Sequence, residues 1–151
     1  MFDPAQPGSD AAFEWVELFN ASGQRLELVG WWLYDNYEAD PVPSLVLEPG
    51  GYAVVAASAQ FYDSFPDFTG TAIFIADGRI GNGLSNTGDR VIIVDSAGHT
   101  IDAVSYGEDA SVFDPALPLV ESGHSLERQV LAGEAGQHAQ FRDNAAPSPG
   151  Q

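Results

Sequence analysis

The sequence predicts an all-β fold, a sandwich of about eight to nine short strands. Apolar, β-branched and aromatic residues come in runs of strand length, as in Phe13-Glu14-Trp15-Val16-Glu17-Leu18-Phe19-Asn20. Turn chemistry separates the runs: Asn-Ala-Ser-Gly at 20–23, Glu-Pro-Gly-Gly at 48–51, Asp-Ser-Ala-Gly at 95–98. No helix of ordinary length is indicated anywhere in the 151 residues.

The elements follow in order. Residues 3–12 are loop by composition. In the strand at 13–20, Glu14, Val16 and Leu18 share one face while Phe13, Trp15, Glu17 and Phe19 share the other. Bulk on both sides suits a strand covered twice. Leu26–Leu28 and Trp31–Asp35 are the next strands, and 35–44 is a polar, proline-bearing loop. Leu45–Leu47 and Tyr52–Ala57 flank the Glu-Pro-Gly-Gly turn. Phe61, Tyr62, Phe65 and Phe68 fall at helical spacing around Pro66, which predicts a short helix or packed loop near 58–68, a lid on one end of the core. Ala72–Ala76 is a strand, and Arg90–Val94 with His99–Tyr106 is a hairpin. Residues 107–123 are loop, and Ser125–Arg128 is a last strand. The chain reads as one domain over 1–151, with a core over about 13–130 and a surface tail or linker at 131–151. Its start, at Met1-Phe2-Asp3-Pro4, suggests a domain excised from a longer protein.

Charge narrows the partners. Twenty-two acidic residues face five basic ones, all arginine, for a formal net charge of −17. Such a field repels phosphate backbones and anionic bilayers, so neither nucleic-acid binding nor membrane insertion is expected. Cations, basic proteins and neutral glycans stay compatible with it. The bland reading of the acidity is solubility, including in salty surroundings. The absence of cysteine removes disulfides and thiolate metal sites.

The order of elements resembles the lamin tail domain family, bacterial branch. The matching runs are Glu14–Asn20, Leu28–Leu33, Leu47–Val55, Asn82–Val91 and the hairpin Val94–Asp102, with Ser125–Arg128 and Pro147–Gly150 behind them. This resemblance implies an immunoglobulin-like β-sandwich and an extracellular or cell-surface setting. It also implies a non-catalytic accessory role within a larger exported bacterial protein, in adhesion, spacing or protein–protein contact. The nucleic-acid contacts associated with nuclear members do not carry over to a chain this acidic. Bacterial members usually carry one more strand ahead of Phe2; an edge left open there would favour pairing between copies.

Several residues are candidates for a site. Trp15 and Trp32 would form a sugar-stacking platform if exposed, although packing is the commoner fate of such rings, with Trp31 and Leu33 filling the core. Asp35, Glu38 and Asp40, and the group Glu108, Asp109 and Asp114, are loop carboxylates of the kind calcium uses, in no diagnostic spacing. Asn86, Gly88 and Asp89, with Asn82 and Gly83, read as turn residues bonding to their own backbone. His99, His124 and His138 make no i, i+4 metal pair. Arg90 and Arg128 are each expected to pair with a strand carboxylate such as Glu14 or Glu17. A calcium- or glycan-binding accessory module is the alternative function. A hydrolase is a remote one, because it needs two carboxylates facing across a cleft.

Overall fold

Among the described residues eleven strands form, nine in runs read from the sequence as strand and two outside them. The computed structural model describes residues 1–129 and 141–150. The strands are β1 (Trp15–Phe19), β2 (Leu26–Glu27), β3 (Trp32–Tyr34), β4 (Ala39–Pro41), β5 (Val46–Leu47), β6 (Tyr52–Ala56), β7 (Ala72–Phe74), β8 (Gly88–Val94), β9 (Thr100–Gly107), β10 (Ser125–Arg128) and β11 (Phe141–Asn144). One helical turn, α1 (Phe61–Ser64), lies between β6 and β7.

The strands make a three-stranded sheet β1-β6-β7, a four-stranded sheet β4-β3-β8-β9, and the pairs β2-β5 and β10-β11. The inner faces of the two larger sheets meet in one apolar cluster. Val16, Leu18, Ala53, Val55 and Ile73 come from the first sheet, and Leu33, Val91, Ile93 and Val104 from the second. Leu28, Leu47, Phe113 and Leu117 close its ends. This is the sandwich the alternation predicts, with side chains of period two sorted to opposite faces.

The three-stranded sheet is covered on its other face as well. Trp15, Val54 and Ala56 point away from the first cluster and pack with Phe61, Phe65, Phe68 and Phe74. Trp15 meets Phe65 edge-on at 5.7 Å between centroids and Phe61 at 6.1 Å. The aromatic segment at 58–68 is therefore a wall along a sheet face, not a lid on one end of the core. The chain topology explains the difference. β7 runs parallel to β6, and a parallel neighbour needs a crossover that passes over a sheet face.

Two strands lie outside the sequence expectation. β4 falls in the segment read as loop and pairs antiparallel with β3, Leu33 opposite Asp40. Ala-Asp-Pro has little strand propensity, and Pro41 is tolerated because β4 is a sheet edge. β11 falls in the segment read as tail and pairs with β10, Leu126 opposite Asp143. The remaining tail positions before it, 131–140, lie outside the described residues, as does His138.

Candidate functional site: a carboxylate-held loop and an open sheet face

The segment 81–89 between β7 and β8 is held by four carboxylates from four places in the fold. Gly81 N–H donates to Asp40 Oδ2 at 2.6 Å, and Asn82 N–H to Asp35 Oδ2 at 2.8 Å. Leu84 N–H donates to Glu14 Oε2 at 3.0 Å, and Ser85 N–H to Asp89 Oδ2 at 3.0 Å. Loop amides have no ladder partners of their own, and an ionised carboxylate is the strongest acceptor a side chain offers. Gly81 is required here: its φ is +55°, and a Cβ would overlap the Asp35 carboxylate. Gly88 lets the loop's end press against the backbone of Glu108.

The carboxylates give up water for these bonds. Glu14 and Asp89 are buried, as are Asp35 and Asp40. Burial pushes the Glu14 carboxyl up to about 7, against the pull of the Leu84 amide. Burial likewise raises Asp40 and Asp89, while the amides of Gly81 and of Ser85, Arg90 and Asn36 oppose the rise.

The sequence candidates fall out as follows. Asp35 also caps its own turn, its Oδ1 accepting from Tyr37 and Glu38 N–H at 2.6 Å each. Asp109 accepts from Ser111 N–H and meets Arg90 at 3.5 Å. Glu38, Glu108 and Asp114 are exposed. The oxygens offered to calcium thus serve amides or face solvent, and among the described residues no group of three or more His, Asp or Glu side chains is placed to hold a metal ion.

Asp89 behaves as a turn residue, accepting from Ser85 and also from Asn36 and Arg90 N–H. Asn86 does not. It sits exposed at the loop tip and donates instead to Asp10 Oδ2 at 3.0 Å, because the 3₁₀ turn Asp10–Ala12 comes opposite it. Asp10 and Glu14 both line an open cleft of about 450 Å³ beside this loop. Each is tied to it, one through Asn86 and the other through Leu84.

Of the arginines, Arg128 pairs with a strand carboxylate, though neither Glu14 nor Glu17, and Arg90 pairs with a loop carboxylate. Arg90 bonds Asp109, Ser111 and the Asn36 carbonyl, and Arg128 pairs with Asp102 at 2.8 Å and lies over the Phe141 ring at 4.9 Å. Arg90 and Arg128 lie on β8 and β10, whose neighbours are β3, β9 and β11, whereas Glu14 and Glu17 lie at the start of β1 and on it, in the other sheet.

The tryptophans divide. Trp15 is buried and its indole N–H has no acceptor among the described residues, so it offers no ring for a sugar to stack on. Trp31 is half-buried against the main cluster, beside the buried Leu33. Trp32 is 40 % exposed, and Tyr34, two residues on, 39 %. These two belong to the outer face of the four-stranded sheet. Two cross-strand rows run over that face: Pro41–Trp32–Val94–Thr100 and Ala39–Tyr34–Ile92–Ala103. Tyr37, in the β3–β4 turn, is 77 % exposed at its margin.

Residues 1–108 match the Lamin Tail Domain family, well over half of the chain. The chain belongs to the lamin tail domain family. No curated protein matches it. The immunoglobulin-like sandwich is thereby accounted for, since lamin tail domains are interaction modules of that architecture and generally not enzymes. Among the described residues of this lamin tail domain, no helix is long and apolar enough to cross a membrane. Of the aromatic residues on this face, Trp32 is a sequence candidate and Tyr34 and Tyr37 are not. The alternation Trp32-Leu33-Tyr34 carried the signal for Tyr34, because a core-facing Leu33 forces both neighbours outward.

Proposed function

We propose that this lamin tail domain is a non-catalytic protein-contact module of a larger exported bacterial protein, and that its contact surface is the outer face of the four-stranded sheet. One observation carries the reading. Trp32 and Tyr34 stand on one strand, half-exposed, beside Ile92, Val94, Ala39 and Pro41 in the same two cross-strand rows, while the next row, Arg90–Ser105, is covered by the segment 111–113. Antiparallel sheets commonly turn one face to water, but that face is then usually polar. An apolar, aromatic one marks an interaction site. The carboxylate-held loop supports it from behind: Asp35, Asn36 and Asp40, at the ends of β3 and in β4, are tied to the loop or to Asp89, which fixes the strands that carry the face. The ending Ser125–Arg128 with Pro147–Gly150, similar to bacterial members, supports the exported setting.

The same rings favour a second reading, a glycan-binding module, because a sugar ring stacks on exposed aromatic faces. Pairing between copies is a separate matter of strand edges. The outer side of β1 exchanges two hydrogen bonds with Met1 at Trp15, the Glu17 carboxylate accepts from Gly150 N–H, and the Phe19 carbonyl accepts from Ala21 N–H. Light scattering at high protein concentration reads that pairing, and a strict monomer counts against it.

The test of the contact face is the double substitution Trp32→Ala/Tyr34→Ser in the full-length protein. Both side chains are half in water, so the variant is expected to lose no more than about 1–2 kcal/mol of stability. Retention of the protein at its site of assembly is expected to fall, while Tyr62→Ser, an equally exposed aromatic elsewhere, leaves it unchanged. Unaltered retention in the folded double variant would reject the face.

A further inference from the structure

We propose that the outer face of the four-stranded sheet docks an extended, lysine- or arginine-rich segment of a partner protein, whose cationic side chains stack on Trp32 and Tyr34. This rests on the contact reading of the same face and names the chemistry of its occupant.

Three features select a cationic segment. The first is charge. The molecule carries a net −17, and four of its five arginines (Arg25, Arg90, Arg128 and Arg142) are already paired with its own carboxylates. The field at the surface is therefore negative, and it raises the local concentration of basic partners. It also disfavours a second copy of this chain on the same face, because that would bring two such fields together.

The second feature is ring chemistry. Indole and phenol faces attract ammonium and guanidinium groups through the ring quadrupole, with tryptophan the best of the aromatic partners. Tyr37 adds a third exposed ring at the margin, next to the exposed carboxylate of Glu38.

The third is spacing. Trp32 and Tyr34 are two residues apart on one strand, a separation of about 6.5–7 Å at strand rise. Alternate side chains of an extended peptide repeat at the same distance, so one ring meets each second residue. Docking is face-on, because β4 at the nearby edge ends in Pro41, which has no amide to extend a ladder.

The experiment is a titration of the ¹⁵N-labelled domain in about 0.15 M salt, where the Debye length is about 8 Å and loose charge attraction is screened. The probes are a short peptide alternating lysine and serine, its glutamate–serine counterpart, and a neutral gluco-oligosaccharide. The lysine peptide is expected to shift the Trp32 indole N–H and the amides of β3 and β8, and the glutamate peptide to leave them in place. Affinity is expected to fall about tenfold in Trp32→Ala/Tyr34→Ser and to hold in Tyr62→Ser. Equal affinity in the folded double variant would mean diffuse charge attraction alone and would overturn the proposal. Shifts on the face with the oligosaccharide and none with the lysine peptide would overturn the cationic occupant while leaving the face as a binding surface. No shift on the face with any probe would overturn both. Should the double variant prove unstable, the wild-type shift map decides by itself.

Discussion

At the scale of single residues, the carboxylates divide by what they hold. Glu14 is 1 % exposed and faces Leu84 N–H. Its folded pKa, about 7, lies above the ordinary 4.5, so between those values the folded state keeps a proton that the unfolded chain releases. The stability this contributes is complete below about 4.5 and is lost as pH rises through 7, on the order of 3 kcal/mol at full loss. Glu14→Gln keeps an acceptor for Leu84 and removes the titration. Urea unfolding at pH 5 and pH 8 is expected to show the variant more stable than wild type at the higher pH and its pH dependence flattened. An unchanged slope would mean that Glu14 is solvated. Asp89 is also raised by burial, but three amides donate to it where Glu14 has one. Asp89→Ala leaves those donors in a buried site and is expected to cost about 3 kcal/mol or more in the denaturant midpoint. None of this was legible locally. The turn chemistry of Asn86, Gly88 and Asp89 marked the loop, but three of its four carboxylate partners lie 41, 47 and 70 residues away in sequence, and only the assembled sandwich brings them in.

At the scale of elements, strands with their own alternation were readable and strands made by pairing were not. β1, β6, β8 and β9 carry strand-length runs of β-branched and aromatic residues bounded by turn chemistry, and the structure places strands in those runs. β4 and β11 are Ala-Asp-Pro and Phe-Arg-Asp-Asn, and they exist because β3 and β10 offer free edges. The aromatic segment at 58–68 was visible as a packed element, but which surface it packs on was set by the parallel β6–β7 crossover. That segment builds a second core on the far face of the three-stranded sheet, with Phe61 wholly buried at its centre. Phe61→Ala is expected to destabilise the domain by about 3–5 kcal/mol, the range for deleting a large core aromatic. A loss under about 1 kcal/mol in chemical denaturation would mean that the segment is a loose cover.

At the scale of the whole molecule, charge and topology act together. Ordering seven strands into two sheets buries one core between them and a second behind the smaller sheet, and it leaves Trp32 and Tyr34 half-exposed on the outer face of the larger one. The net charge of −17 works against the compact state by self-repulsion. Raising salt to about 1 M, where the Debye length is about 3 Å, is therefore expected to increase Tm by a few degrees. A flat or falling Tm in calorimetry would show that the carboxylates are locally compensated. The composition told of this field at once, and it left cations, basic proteins and neutral glycans as compatible partners. It did not tell where a contact surface would lie, because an outward Trp and Tyr in one strand look the same in sequence as a pair that another layer covers.

The most direct test of a contact surface on the outer sheet face is site-specific photocrosslinking in the full-length protein. A photoreactive phenylalanine analogue is placed at position 32 and, as a control, at position 62. The account predicts a discrete adduct of defined mass from position 32, suppressed by excess unlabelled domain and absent from position 62. The same adducts from both positions, or none from position 32, would contradict it.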